Sequence, residues 1–197
     1  MQSSHWRYLI FLRLLDDEYK DFRRAIYSTP QDFHRFRKLV VNGVMATDVM
    51  DKELKEIRNG KWDKAFSEAA VQESSTVTIN RKATIILEHL IQASDVSHTM
   101  QHWHIYIKWN KRLFQEMYKA YLDGRAEKDP STFWYEGEKG FFDFYIIPLA
   151  KKLKTCGVFG VSSDEYLNYA TLNRREWEMR GKELVASYIA DMEEQQE

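Results

Sequence analysis

Asp95, His98 and His102 are residue types that divalent metals favour, and they stand at i, i+3 and i+7. On one continuous helix this spacing places a carboxylate and two imidazoles on the same face. Such a donor set suits zinc or a similar ion. Ser97 and Thr99 flank His98, and their hydroxyls compete for backbone groups in a way that interrupts helices. An interruption there would scatter the three donors, leaving Asp95 as an ordinary helix-end aspartate. His102 and His104, two residues apart, point to different sides of any helix. Both readings of Asp95 remain open on the residues alone. An acid carried to the end of an apolar run (Ala83, Ile86, Leu87, Leu90, Ile91) is costly unless a metal or a set of donors meets it. Asp48 is a second isolated acid, within Met45-Ala46-Thr47-Asp48-Val49, where facing solvent is the ordinary expectation. No glycine loop suited to cradling phosphate is present, and nothing suggests a Ser or Cys nucleophile.

Helices must position these groups. Eight glycines and three prolines in 197 residues leave little punctuation, and no alternating strand pattern or internal repeat occurs. A helix is predicted from Leu14 to Ile26. A second begins after Thr29-Pro30 with Asp32 in its first turn and extends to about Arg58, where Asn59-Gly60 reads as a stop. Glu68 to Asn80 is polar and reads as the longest loop. Further helices are expected at Arg81–Ser94, Gln101–Asp123, Phe133–Thr155 with a kink at Pro148, and Tyr166 to about Ile189, with an acidic tail over 191–197. The aromatic series Trp103, Tyr106, Trp109, Phe114, Phe141 and Phe144 reads first as core. The fold class is all-α, a compact multi-helix bundle without an obvious internal boundary. A hydrophobic content of 44% describes a folded chain. The net charge of −1 gives no reason to expect nucleic acid. The apolar start, Trp6 to Leu15, is too short and too charged to span a membrane. The single cysteine, Cys156, suits a reducing, cytoplasmic setting.

Several segments in order match one family. Phe36 to Val41 followed by Met45-Ala46-Thr47-Asp48 looks like a helix ending in an Ala-Thr-Asp motif. Ala93-Ser94-Asp95-Val96-Ser97 looks like an Ala-Asp-x-Ser segment. Tyr106-x-x-Trp109 and Glu116-Met117-Tyr118 match the next helix. Gly140-Phe141-Phe142-Asp143-Phe144 through Pro148, and then Asn173-Arg174-x-x-Trp177, complete the series. Together they resemble the C-terminal half of the class I 3',5'-cyclic-nucleotide phosphodiesterase catalytic domain, an HD-type all-α fold, over roughly Leu14 to Gly181. Residues 1–13 carry none of these motifs.

The resemblance implies metal-dependent hydrolysis of cAMP or cGMP to 5'-nucleoside monophosphates in signal transduction. The family uses two divalent ions, of zinc and magnesium type, which lower the pKa of a water and neutralise the phosphate. By resemblance Asp95 is a ligand to the zinc-type metal, and Asp48 orients a water or ligand beside it. Phe141 stacks on the purine, while Tyr106, Leu113 and Phe114 form pocket wall. Two departures bear on selectivity. Glu138 stands where the family has a purine-reading glutamine, and an ionised Glu accepts but cannot donate. His98 stands where many members have Asn.

The family's His-Asn-x-x-His and His-Asp motifs, which supply the general acid and the other metal ligands, have no counterpart here. One ligand of the set, Asp95, is present. The chain is therefore expected to be a truncated, alternatively started or misassigned gene product, inactive by itself. It would associate with a complementary chain or a longer parent. The alternative is a catalytically silent interaction or nucleotide-binding module.

Overall fold

The computed structural model describes residues 13, 15–49, 51–67 and 76–194. These residues are helical, with no strand among them, as the all-α reading expects. They form two compact units, Met1–Asp95 and Val96–Glu197. No Pro-, Gly- or Ser-rich linker marks the division, which falls in the turn after Asp95.

In the first unit a 3₁₀ turn at Asp17–Tyr19 leads into α1 (Lys20–Ile26), α2 (Pro30–Ala46), α3 (Lys52–Phe66) and α4 (Thr76–Asp95). The predicted start of α2 holds in detail. The Thr29 hydroxyl accepts from the Asp32 N–H, and the Asp32 carboxylate accepts from the Thr29 N–H, a reciprocal capping box. Tyr27 packs its ring on Phe33 and Phe36 at the corner.

The predicted continuation to Arg58 fails at Ala46. The Thr47 hydroxyl bonds back to the Val44 carbonyl, and Asp51 accepts from the Leu54 N–H to open a new helix. Asp48 therefore lies in a turn. Nor does Asn59-Gly60 stop α3, which runs on to Phe66. A mid-helix glycine costs about 1 kcal/mol. Burial of Trp62, stacked on Phe66 at 4.1 Å and packed on His89 at 4.6 Å, offsets that by roughly 1.5–3 kcal/mol.

Most of the polar stretch read as a loop, residues 68–75, lies outside the described residues. Thr76 to Asn80 is already the first part of α4. α2 and α4 meet closely at Gly43, where an added Cβ would lie 2.9 Å from Ile91 Cδ1.

The second unit comprises a 3₁₀ turn at Ser97–Met100, α5 (Trp103–Leu122), α6 (Trp134–Phe141), α7 (Ile147–Cys156) and α8 (Ser163–Glu194). Pro148 divides the axis as expected. The division is a π-helical turn at Phe142–Ile146 leading into α7, because proline has no N–H for the preceding turn. The expected acidic tail is partly helix, since α8 continues to Glu194.

α8 holds this unit together through the Asn173-Arg174-x-x-Trp177 motif. Asn173, 1% exposed, donates from its amide to the Thr99 carbonyl at 2.9 Å and the Gln101 carbonyl at 2.7 Å. Arg174 grips the Asp143 carboxylate through Nε at 2.9 Å and a second nitrogen at 3.0 Å. Trp177 is fully buried, and its indole N–H donates to the Tyr135 carbonyl. Gly181 leaves room for this indole, since a Cβ there would lie 2.8 Å from the ring.

Asn173→Ala should destabilise the chain by roughly 2–4 kcal/mol, because it leaves two carbonyls of a buried turn unpaired. A urea denaturation series measures this. A midpoint equal to wild type would mean the turn at Ser97–Met100 does not depend on Asn173.

Candidate functional site

Four buried or half-buried polar groups meet between α5 and α6. Tyr106 and Asn110 are one turn apart on α5, and Trp134 and Glu138 are one turn apart on α6, so each pair shares a helix face. The Trp134 indole can only donate, and it does so to Asn110 Oδ1 at 3.2 Å. That contact turns the Asn110 amide nitrogen toward the Tyr106 oxygen, 3.4 Å away. The Tyr106 hydroxyl then spends its hydrogen on Glu138 Oε2 at 2.7 Å. The direction of the whole series follows from its donor-only end.

Burial raises the pKa of Glu138 to about 7, against the lowering effect of the hydrogen bonds from Tyr106 and Asn110. Burial, followed by the charge of Glu138, pushes Tyr106 well above its ordinary value. Glu138 is half-buried as a residue, with its carboxyl group enclosed and held by the Tyr106 hydroxyl. Near neutrality the group offers either acceptors alone or one O–H donor beside an acceptor.

The other expected residues occupy varied places. Phe141 is half-buried and stacks on Tyr145 with ring centres 5.3 Å apart. Leu113 is exposed. Phe114, expected as pocket wall, is instead 0% exposed, wedged against Trp134 and Tyr188. Its ring is core and offers no surface to a ligand. Tyr106 is equally enclosed, edge-on to Phe142 and Trp177, and contributes through its hydroxyl. His98 is half-buried with its ring 6.4 Å from Trp109, and burial lowers its pKa. In the first unit Asp95 is the exposed last residue of α4. It borders a cleft of about 630 Å³ between α2 and α4 whose apolar lining includes Phe36, Val40, Leu87 and Ile91. Asp48 is exposed, and its backbone carbonyl accepts from Arg58 at 3.1 Å.

The Asp95, His98, His102 spacing does not fall on one helix. α4 ends at Asp95, Ser97–Met100 is a 3₁₀ turn, and α5 opens at Trp103. His102 is engaged with the Tyr169 hydroxyl at 3.0 Å. Among the described residues no group of three or more His, Cys, Asp or Glu is gathered to hold a metal ion. These residues do not by themselves fit a two-metal centre, and Asp95 would need further ligands from outside them. Asn110 and Trp134 were not singled out in the sequence. Their signal was an Asn one turn after a Tyr on an otherwise apolar helix face.

Because the folded pKa of Glu138 is raised from 4.5 to about 7, its stabilising contribution is full below the lower value and is lost as pH rises through the upper one. Glu138→Gln should therefore melt near wild type at about pH 5 and above it at about pH 8. Thermal melts at the two pH values give the comparison. A constant offset would show that Glu138 does not change protonation between them.

The family described as 3'5'-cyclic nucleotide phosphodiesterase matches residues 1–157. The dual specificity calcium/calmodulin-dependent 3',5'-cyclic nucleotide phosphodiesterase 1B of Bos taurus is 26% identical over 155 residues, 74% of this chain and 26% of that protein. The human 1B protein is 28% identical over the same length. Human 1C is 26% identical over 145 residues, 69% of this chain and 18% of its own. The chain thus spans about a quarter of the length of the 1B relatives. The crystal structure of the phosphodiesterase domain of the RhoPDE fusion protein from the choanoflagellate Salpingoeca rosetta superposes with a TM-score of 0.63 at 19% identity. It covers 94% of this chain and 57% of that one, a likeness of fold. With most of its length matched by the family and its helices arranged in the same fold, the chain belongs to the 3'5'-cyclic nucleotide phosphodiesterase family.

Proposed function

We propose that this chain carries the base-recognising part of a cyclic-nucleotide phosphodiesterase domain, and that the complete domain hydrolyses 3',5'-cyclic nucleotides to 5'-nucleoside monophosphates in cytoplasmic signalling. The observation that carries the reading is the directed series from Trp134 through Asn110 and Tyr106 to Glu138, in a chain of this family. In this reading Glu138 meets the purine edge, Phe141 stacks on its face, and Leu113 and His98 border it. Tyr106 and the buried Phe114 support the wall from behind. An ionised Glu138 accepts two donors, which suits the N1–H and N2–H₂ edge of guanine. A protonated Glu138 offers a donor beside an acceptor, which suits adenine.

Asp95 is proposed as a ligand to one of two divalent metals, of zinc and magnesium type, and Asp48 as a residue orienting a water or ligand beside it. When bound, such metals activate water and neutralise the cyclic phosphate. The family's His-Asn-x-x-His and His-Asp motifs have no counterpart in the sequence, so the 197-residue chain alone is expected to be inactive. No described helix is long and apolar enough to cross a membrane. Exposed apolar side chains on the first unit, Val41, Met45, Ile57, Leu87 and Ile91, support association with a complementary chain or a longer parent. They equally favour the second reading, a silent interaction or nucleotide-binding module.

In a complete domain carrying these residues, Asp95→Ala should abolish hydrolysis of both nucleotides. Glu138→Gln should lower the cyclic GMP to cyclic AMP ratio of kcat/KM by about five- to a hundred-fold, the effect of roughly 1–3 kcal/mol for an unpaired polar group. An unchanged ratio would remove Glu138 from base reading. Turnover by the isolated chain with zinc and magnesium added would overturn the expectation that its own ligands are insufficient.

A further inference from the structure

The cleft bounded by α2, α3 and α4 has a chemistry that the catalytic reading leaves unused. It holds about 730 Å³, within the usual range for small-molecule sites. Five cations converge on it from three helices: Arg35 and Lys38 from α2, Lys61 and Lys64 from α3, and Arg81 from α4. Lys61 lies 3.7 Å from Glu88, whose side chain is 6% exposed. Among the described residues the other four have no carboxylate at ion-pair distance. In a chain of net charge −1 this concentration of positive charge is local. Charges of one sign lining a cleft favour an anion there.

The rest of the lining is not that of a solvated basic face. Leu39 and Ile85 give it an apolar floor, Val77 adds an exposed apolar edge, and Asn42, Asn80 and Thr84 add neutral polar groups. Ile85 and Glu88 are buried. Burial raises the pKa of Glu88 while Lys61 and then Arg58 lower it. The one acid in the cleft is thus already engaged by Lys61. Two guanidiniums can each bind phosphate oxygens in pairs, and the ammonium groups add point charge around them. An apolar floor beneath such a ring is superfluous for inorganic phosphate and matches a ligand with a flat or aliphatic body.

We propose that this cleft binds an organic phosphate, with the phosphate among Arg35, Lys38, Lys64 and Arg81 and its apolar body against Leu39, Val77 and Ile85. The site lies wholly in the first unit, and its proposal stands independently of the base-reading role of Glu138.

Isothermal titration of the full chain with 1-naphthyl phosphate tests it, with inorganic phosphate and 1-naphthol as the two halves of the ligand. The intact ester should bind at least about ten-fold more tightly than either half, since charge and apolar contact act together. The double charge reversal Arg35→Glu with Lys64→Glu should weaken it by at least about ten-fold, and Glu138→Gln in the other unit should leave it unchanged. The milder pair Lys38→Gln with Arg81→Gln should act in the same direction, which covers the case in which the reversals impair folding. The proposal is overturned by no binding, by inorganic phosphate binding as well as the ester, by both charge pairs leaving affinity intact, or by loss of binding in Glu138→Gln.

Discussion

Both units depend on the same constraint: a buried backbone carbonyl at the end of a helix or in a tight turn must find a donor. At the end of α2 the chain has no glycine cap. The carbonyls there are met by side chains from the other two long helices. Arg58 of α3 donates to Met45 and Asp48, and Gln92 of α4 donates to Ala46 at 2.8 Å. Arg58 also brings a positive charge to the negative end of α2. In the second unit Asn173 does the corresponding work for the turn at Ser97–Met100. Such contacts specify where helices meet more narrowly than apolar burial does, because a displaced donor leaves a buried acceptor unpaired.

This changes what the family motifs mean in this chain. Asn173, Arg174 and Trp177 end on a backbone turn, on Asp143 and on the Tyr135 carbonyl. Asp143 in the Gly-Phe-x-Asp-Phe segment is thereby a structural anchor for the π-helical turn that follows Phe141. Two of the matched segments, Gly140 to Phe144 and Asn173 to Trp177, are partners in a single arrangement. Holding Phe141 and Glu138 at defined places on α6 is the consequence with chemical interest.

The polar series behind Glu138 illustrates how an enclosed carboxyl group differs from an amide. Where an amide would supply a donor and an acceptor whatever the pH, a carboxyl group alternates between two hydrogen-bonding patterns. Enclosure brings that alternation to about pH 7. The Tyr106 hydroxyl is committed as a donor by Asn110 and Trp134, so the neighbouring protein groups keep one Glu138 oxygen an acceptor in either state.

Helical class, the capped start of α2 and the break at Pro148 were legible from residue types, because they rest on local rules: absent punctuation, a Thr-Asp capping pair and a missing N–H. The order of the motifs, too, was enough to indicate the family. Local rules failed where a distant partner outweighed them. Asn59-Gly60 did not end α3, since Trp62 on the next turn is buried against His89. The α2 helix ended at Ala46, where donors from α3 and α4 receive its carbonyls. Spacing alone also left open whether Asp95, His98 and His102 share a face, and the 3₁₀ turn separates them. Residue types alone set which groups were available: a glutamate at position 138, an aspartate at position 95, and basic residues dispersed along three helices. Tertiary structure decided which of them meet, because hydrogen-bond direction, burial and the convergence of charge are properties of neighbours brought together from distant positions in the chain.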